Sequence, residues 1–299
     1  MAYRIEVDEP LPSALPRCIG EQLEAARGHL QRSGAELHDG IHDARRSIRR
    51  ARAALALLRP QLEDHAWDAL AATIAKAGRV LSPLRDAQSV IEAVEQLQQT
   101  GMQFPAATLQ RLLGGLRRRR GQASRRSATV IAASDAALAS FGSGLRNAFS
   151  EFDAAALAAG LGLGRRRLRK AMHAAGAAVP ASDALHRFRQ RARVHWLQLE
   201  LVTEAWPAVV SAQAAEAKKL SQLLGSERDL QLLSTFIAGL HKGEGDAPDL
   251  APVDKHIARL RRQLKVQAFA LGELLCAESS AAMTHRIGAW RLARSAKAC

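Results

Sequence analysis

Apolar residues recur three and four positions apart through most of the chain, the spacing that gathers them on one side of an α-helix. Ile41, Ala44, Ile48, Ala51, Leu55 and Leu58 form one such stripe. Leu185, Phe188, Ala192, Leu199 and Val202 form a second, and Leu109, Leu112, Leu113 and Leu116 a third. Ala, Leu, Arg, Glu and Gln fill the long segments, while aromatic residues make up 4% and Tyr occurs once, so strand-forming material is scarce. Gly- and Pro-containing breaks then predict helices near 12–33, 40–59, 61–78, 83–99, 106–150, 164–175, 183–204, 208–223, 227–240, 253–277 and 279–296. Ser82 before Pro83 reads as an N-cap with proline in the first turn. Ser226 to Asp229 reads as a similar, capping-box-like start.

The pattern repeats. Ile41-His42-Asp43-Ala44-Arg45 returns 144 residues later as Leu185-His186-Arg187-Phe188-Arg189, and Arg49 returns as Arg193. Leu84-Arg85-Asp86-Ala87-Gln88 returns 143 residues later as Glu227-Arg228-Asp229-Leu230-Gln231. Leu116-Arg117-Arg118 matches Leu260-Arg261-Arg262, and Arg111 matches Lys255. A register kept within one residue over this length predicts an all-α fold made by duplication. Residues 1–160 and 161–299 are then two four-helix halves, each expected to bury its own bundle core.

Opposite the apolar stripes the two copies place like residues. His42, Arg45, Arg46 and Arg49 share one helix face, flanked by Arg50 and Arg52. In the second copy His186, Arg189, Gln190 and Arg193 do so. Arg111, Arg118 and Arg125 line up at heptad spacing, and Lys255, Arg259 and Arg262 oppose Leu260 and Leu264. A solvated face ordinarily mixes signs to form (i, i+4) pairs. These faces do not: residues 96–134 hold no acid, and 154–182 none while Arg165, Arg166, Arg167, Arg169 and Lys170 accumulate. Unpaired cations cost stability, which makes a bound anion the economical explanation. Arg85 and Arg228 fall in the first turn of their helices, where the dipole favours anions. Either they pair with Asp86 and Asp229 as caps, or they contact phosphate.

The composition agrees. The 299 residues carry 43 Lys+Arg against 29 Asp+Glu, a net charge of +14, with a pI near 10.8, and only eight of the cations are lysine. Arginine's planar fork suits phosphate and carboxylate, so a polyanion is the expected partner. Three distant cysteines, Cys18, Cys276 and Cys299, exclude a disulfide framework and a Cys-based zinc site. His38 and His42 are spaced as a metal pair, but Gly40 separates them and no third ligand is evident, so no metal or other cofactor is expected. No apolar run is long enough for a membrane span, and the acidic, polar N-terminus is unlike a signal, so a cytoplasmic protein without membrane contact is expected.

The segment Ile41 to Arg52, its counterpart Leu185 to Arg193, and the paired Arg-Asp elements at 84–87 and 227–230 resemble the conserved histidine α-helical, or CHAD, domain over about residues 10–295. The resemblance implies two four-helix bundles related by a pseudo-twofold axis around a central basic cavity. It also implies binding of inorganic polyphosphate, and location on polyphosphate granules for some members. Carried over by position, the ligands are His42, Arg45, Arg49, Arg85, His186, Arg189, Arg193 and Arg228. The helical faces add Arg46, Arg50, Arg118, Lys255 and Arg262. Gln190 stands where the first copy has Arg46, and Val194 and Trp196 replace expected cations, which predicts a weaker grip by the second half.

The expected function is non-enzymatic binding of polyphosphate. Some relatives carry a triphosphate-tunnel enzyme upstream, but Glu6 to Pro10 lacks its alternating Glu/Lys strand, so no catalytic residue is assigned. A nucleic-acid partner is permitted by the pI but disfavoured by the few aromatic residues and the absence of a reading motif. Phosphoanhydride cleavage would need gathered metal-holding carboxylates, and Asp43, Asp86 and Asp229 are scattered along the chain. An acidic protein partner and a scaffold role stay open, and the sequence sets no oligomeric state.

Overall fold

A computed structural model describes residues 3–99, 106–141, 149–177, 182–241 and 251–298. Helices α1 (Leu11–Leu30), α2 (Leu37–Leu55), α3 (Asp64–Val80), α4 (Ser82–Gln99), α5 (Ala106–Ser124) and α6 (Ser127–Ala139) come from the first part of the chain. Helices α7 (Ala154–Ala177), α8 (Ser182–Leu201), α9 (Pro207–His241), α10 (Ala251–Ala277) and α11 (Ser280–Ala298) follow. Short 3-10 turns lie at Gly34–Glu36, Ala56–Leu58 and Thr203–Ala205, and no strand occurs among the described residues. The fold is all-α.

The apolar stripes read from the sequence face the interior. Ile41, Ala44, Ile48, Ala51, Leu55 and Leu58 are buried, as are Leu185, Phe188, Ala192, Leu199 and Val202. α1 lies along α2, α3 against α6, α7 against α8 and α11, and α8 against α9. α2 and α8, the two helices that carry the repeated His and Arg residues, pack on one another.

The cores are not private to the halves. Val90, Val94 and Leu97 of α4 and Leu112 and Leu116 of α5 pack with Leu230, Leu233 and Ile237 of α9 and Val253 and Ile257 of α10. The largest cluster likewise joins α1, α2 and α3 to Leu197 and Leu201 of α8 and Met283 and Ile287 of α11. Only a third cluster, with Leu168, Met172, Phe188, Leu220 and Leu224, lies wholly within the second half.

Three element boundaries differ from the sequence pattern. Gly160 to Gly164 lie inside α7, because a side chain at Gly160 would run into the Leu57 backbone and one at Gly164 into Gln198. Gly225 and Ser226 lie inside the continuous α9, so Ser226 starts no helix. The expected helix over 106–150 is instead two, divided at Arg125–Arg126, where α6 turns to reach α3 and the buried Ser134 hydroxyl donates to Ala77 O at 3.1 Å. Part of that expected span, residues 142–148, lies outside the described residues.

Candidate functional site

The α2–α8 contact brings the two basic faces together, and α4 and α9 supply the paired Arg-Asp elements beside them. Arg45 Nη1 donates to Gly78 O at 2.7 Å and to Ser82 Oγ at 2.8 Å, so the start of α4 holds this guanidinium. The Ser82 hydroxyl itself donates to Gly78 O, tying the α3–α4 corner to the same network. Arg189 occupies the corresponding place in the second copy. Its Nη2 would lie 3.8 Å from a Cβ built on Gly225, which stands 143 residues after Ser82.

The guanidinium groups of the two faces act on one another electrostatically. Burial pushes Arg49 down to about 9, and Arg45, Arg189, Arg85 and Arg46 push it in the same direction. Arg193 lies well below the usual guanidinium range, again through burial first and then Arg49, Arg189 and Arg45, with Asp229 opposing. Arg45 and Arg189 are lowered by burial, while Asp86 holds up the first, and Asp229 and Asp86 the second. An arginine does not lose its proton under ordinary conditions. Depression of this kind therefore reflects the crowding of partly desolvated cations, which an anion relieves.

The carboxylates present do not neutralise the cluster. Arg85 Nη2 pairs with Glu92 at 2.7 Å, yet its Nη1 is buried without a partner, as are Arg45 Nε and Arg189 Nε. Arg46, Arg49, Arg189 and Arg193 form no hydrogen bond or ion pair among the described residues. Burial raises the Asp229 carboxyl, against the pull of Arg189 and Arg85. Arg228 Nη1 donates to Gln231 Oε1 at 2.9 Å and acts on both Arg189 and His186.

Both histidines border the cluster and both are lowered, by burial first. Arg85 and Arg49 follow for His42, and Arg228, Arg189 and Arg193 for His186. The Gln190 amide nitrogen donates to His186 Nε2 at 2.8 Å, which leaves the proton on Nδ1, buried and unpartnered. Gln190 thus orients a histidine where the first copy presents a cation.

Other candidates lie elsewhere. Arg50 stacks 5.3 Å above the Tyr3 ring and sits 3.7 Å from Glu200, away from its helical neighbours Arg45 and Arg49. Arg118, Lys255 and Arg262 are exposed on α5 and α10, and none of the shifts within the cluster traces to them. In place of Arg262, its neighbour Arg261 is engaged, bonding through Nε and Nη2 to Oε1 of the buried Glu227, with Lys265 3.7 Å away.

A second basic patch joins Arg52, Arg166 and Arg167, which the sequence marks as unpaired cations, to Arg191, Arg79 and Arg59, which it does not. Arg52 is lowered by desolvation and then by Arg191 and Arg79, and Arg167 by desolvation and then by Arg191, Arg59 and Arg166. Arg191 lies two residues from Arg189, on the far side of α8, so counting the face of Arg189 discards it. Its signal in the sequence is the unbroken run of arginines at every second position from 187 to 193.

An all-helical protein with a half-buried guanidinium cluster between two helices of like sequence is thereby defined. The chain belongs to the CHAD domain family, whose sequence model matches residues 17–238. The crystal structure of the CHAD domain from the plant Ricinus communis is similar, with a TM-score of 0.57 at 19% identity. That likeness covers 97% of this chain and 95% of the plant domain. No curated protein matches the chain. Among the described residues no helix is long and apolar enough to cross a membrane.

Proposed function

We propose that the protein is a non-enzymatic receptor for inorganic polyphosphate, and that residues 1–160 and 161–299 are two copies of one helical unit meeting around its site. The ligands in this reading are His42, Arg45, Arg46, Arg49, Arg85, His186, Arg189, Arg193 and Arg228. The observation that carries it is the crowding of Arg45, Arg49, Arg189 and Arg193, half-buried and without a neutralising carboxylate apiece. Polyphosphate has a charge on every unit and no bases to stack, so dense guanidinium donors are the matching chemistry. Charge-assisted hydrogen bonds give geometry, and counterion release gives free energy that falls steeply with salt. Granules rich in polyphosphate would be the site of action in a cell.

A titration with polyphosphate of defined length at two salt concentrations, with duplex DNA as competitor, tests this reading. Salt-sensitive binding that excess DNA fails to displace is expected. Displacement by DNA at comparable concentration would replace it with a general polyanion surface.

A further inference from the structure

A cavity of about 520 Å³ lies outside the guanidinium cluster, bounded by α7, α8, α9, α10 and the start of α11. Leu199, Leu271, Leu274, Leu275 and Met283 supply most of its wall. Two polar side chains in that wall are nearly inaccessible, Arg165 at 5% exposure and His195 at 1%. Arg165 Nη2 donates to Glu278 O at 3.0 Å, and its Nη1 lies 3.4 Å from His195 Nε2. A guanidinium only donates, so Nε2 accepts and the imidazole proton resides on Nδ1. Arg165 Nε and His195 Nδ1 are both buried without a partner.

Two orphaned donors in an apolar wall call for an acceptor, and the nearby acid does not supply one. The Glu278 carboxylate is engaged by Arg286 through both oxygens, at 3.0 and 2.6 Å. Arg165 is therefore a buried cation without a carboxylate of its own, an arrangement that costs free energy until an anion is bound. Glu216 and Glu278 also line the cavity and repel a multiply charged head. The volume suits a small organic ligand.

We propose that this cavity binds an amphipathic monocarboxylate, its apolar body against Leu199, Leu271, Leu275 and Met283 and its head accepting from Arg165, which His195 Nε2 helps to hold in place. The site is separate from the polyphosphate reading and takes a ligand of different chemistry. Leu274, 74% exposed at the rim, marks the entrance and tolerates substitution without loss of core packing.

Isothermal titration of the full chain with submicellar decanoate tests the proposal. One decanoate per chain is expected to bind saturably, with 1-decanol at least about tenfold weaker because it lacks the charge-assisted bonds. Arg165→Met is expected to weaken decanoate by a similar factor. Leu274→Glu, which keeps every buried group, is expected to abolish binding at unchanged helicity. Absence of binding to the native chain, equal binding of decanol and decanoate, or native affinity in Leu274→Glu would each overturn the proposal.

Discussion

Arg49 is held down to about 9 by burial and by four other arginines, so the native state without an anion carries this residue at a cost. Arg49→Gln is expected to stabilise the anion-free protein by about 1 kcal/mol while weakening polyphosphate binding. Thermal melts with and without tripolyphosphate check both signs, and a destabilised anion-free variant would contradict the crowding argument. His195 gives a second residue-level outcome. Burial and then Arg165 lower it to about 3 from an ordinary 6.5, so the unfolded chain binds the extra proton between those values. Its contribution to stability is complete above about pH 6.5 and is lost as pH falls toward 3. His195→Gln should flatten that part of the stability profile relative to the native chain in urea melts at stepped pH. At this scale much of the candidate cluster was legible, because His42, Arg45 and Arg49 and their counterparts repeat both residue type and helical phase. Arg50 packs instead over Tyr3, which comes from an N-terminal segment without periodicity, and no helical count anticipates that contact.

Glycine carries the lesson at the scale of elements. Read locally, Gly160 to Gly164 and Gly225 end helices; in the fold they allow helices to pass closely or leave room for a side chain. Gly160 sits against the Leu57 backbone, which has no rotamer with which to yield. Gly160→Ala is expected to cost about 1–3 kcal/mol through overpacking. Gly225→Ala meets only ordinary contact with Arg189 at 3.8 Å and lies inside α9, so it is expected to stabilise by up to about 1 kcal/mol. Denaturant midpoints of the two variants, moving in opposite directions, are the check. The break at Arg125–Arg126 shows the reverse failure. No glycine or proline marks it, and the direction of α6 is set by its packing on α3.

For the molecule as a whole, the repeat was visible in sequence but the partition of its cores was not. Periodicity says which face of a helix is buried, not which helix covers it, and α4 and α5 are covered by α9 and α10 from the other half. Residues 1–160 made alone are therefore expected to expose that apolar face, bind a hydrophobic dye and melt without cooperativity. A sharp two-state transition of the isolated half would contradict the shared core. The same interleaving brings α2 to α8, so the site in this account exists only when both halves are folded together. If guanidinium groups from both halves act as one polyphosphate receptor, removing four of them removes binding. The polyphosphate affinity of the Arg45/Arg49/Arg189/Arg193 quadruple Ala variant, measured beside the native chain at matched helicity, decides this. A loss of at least about 100-fold is predicted; native affinity in that variant would contradict the account.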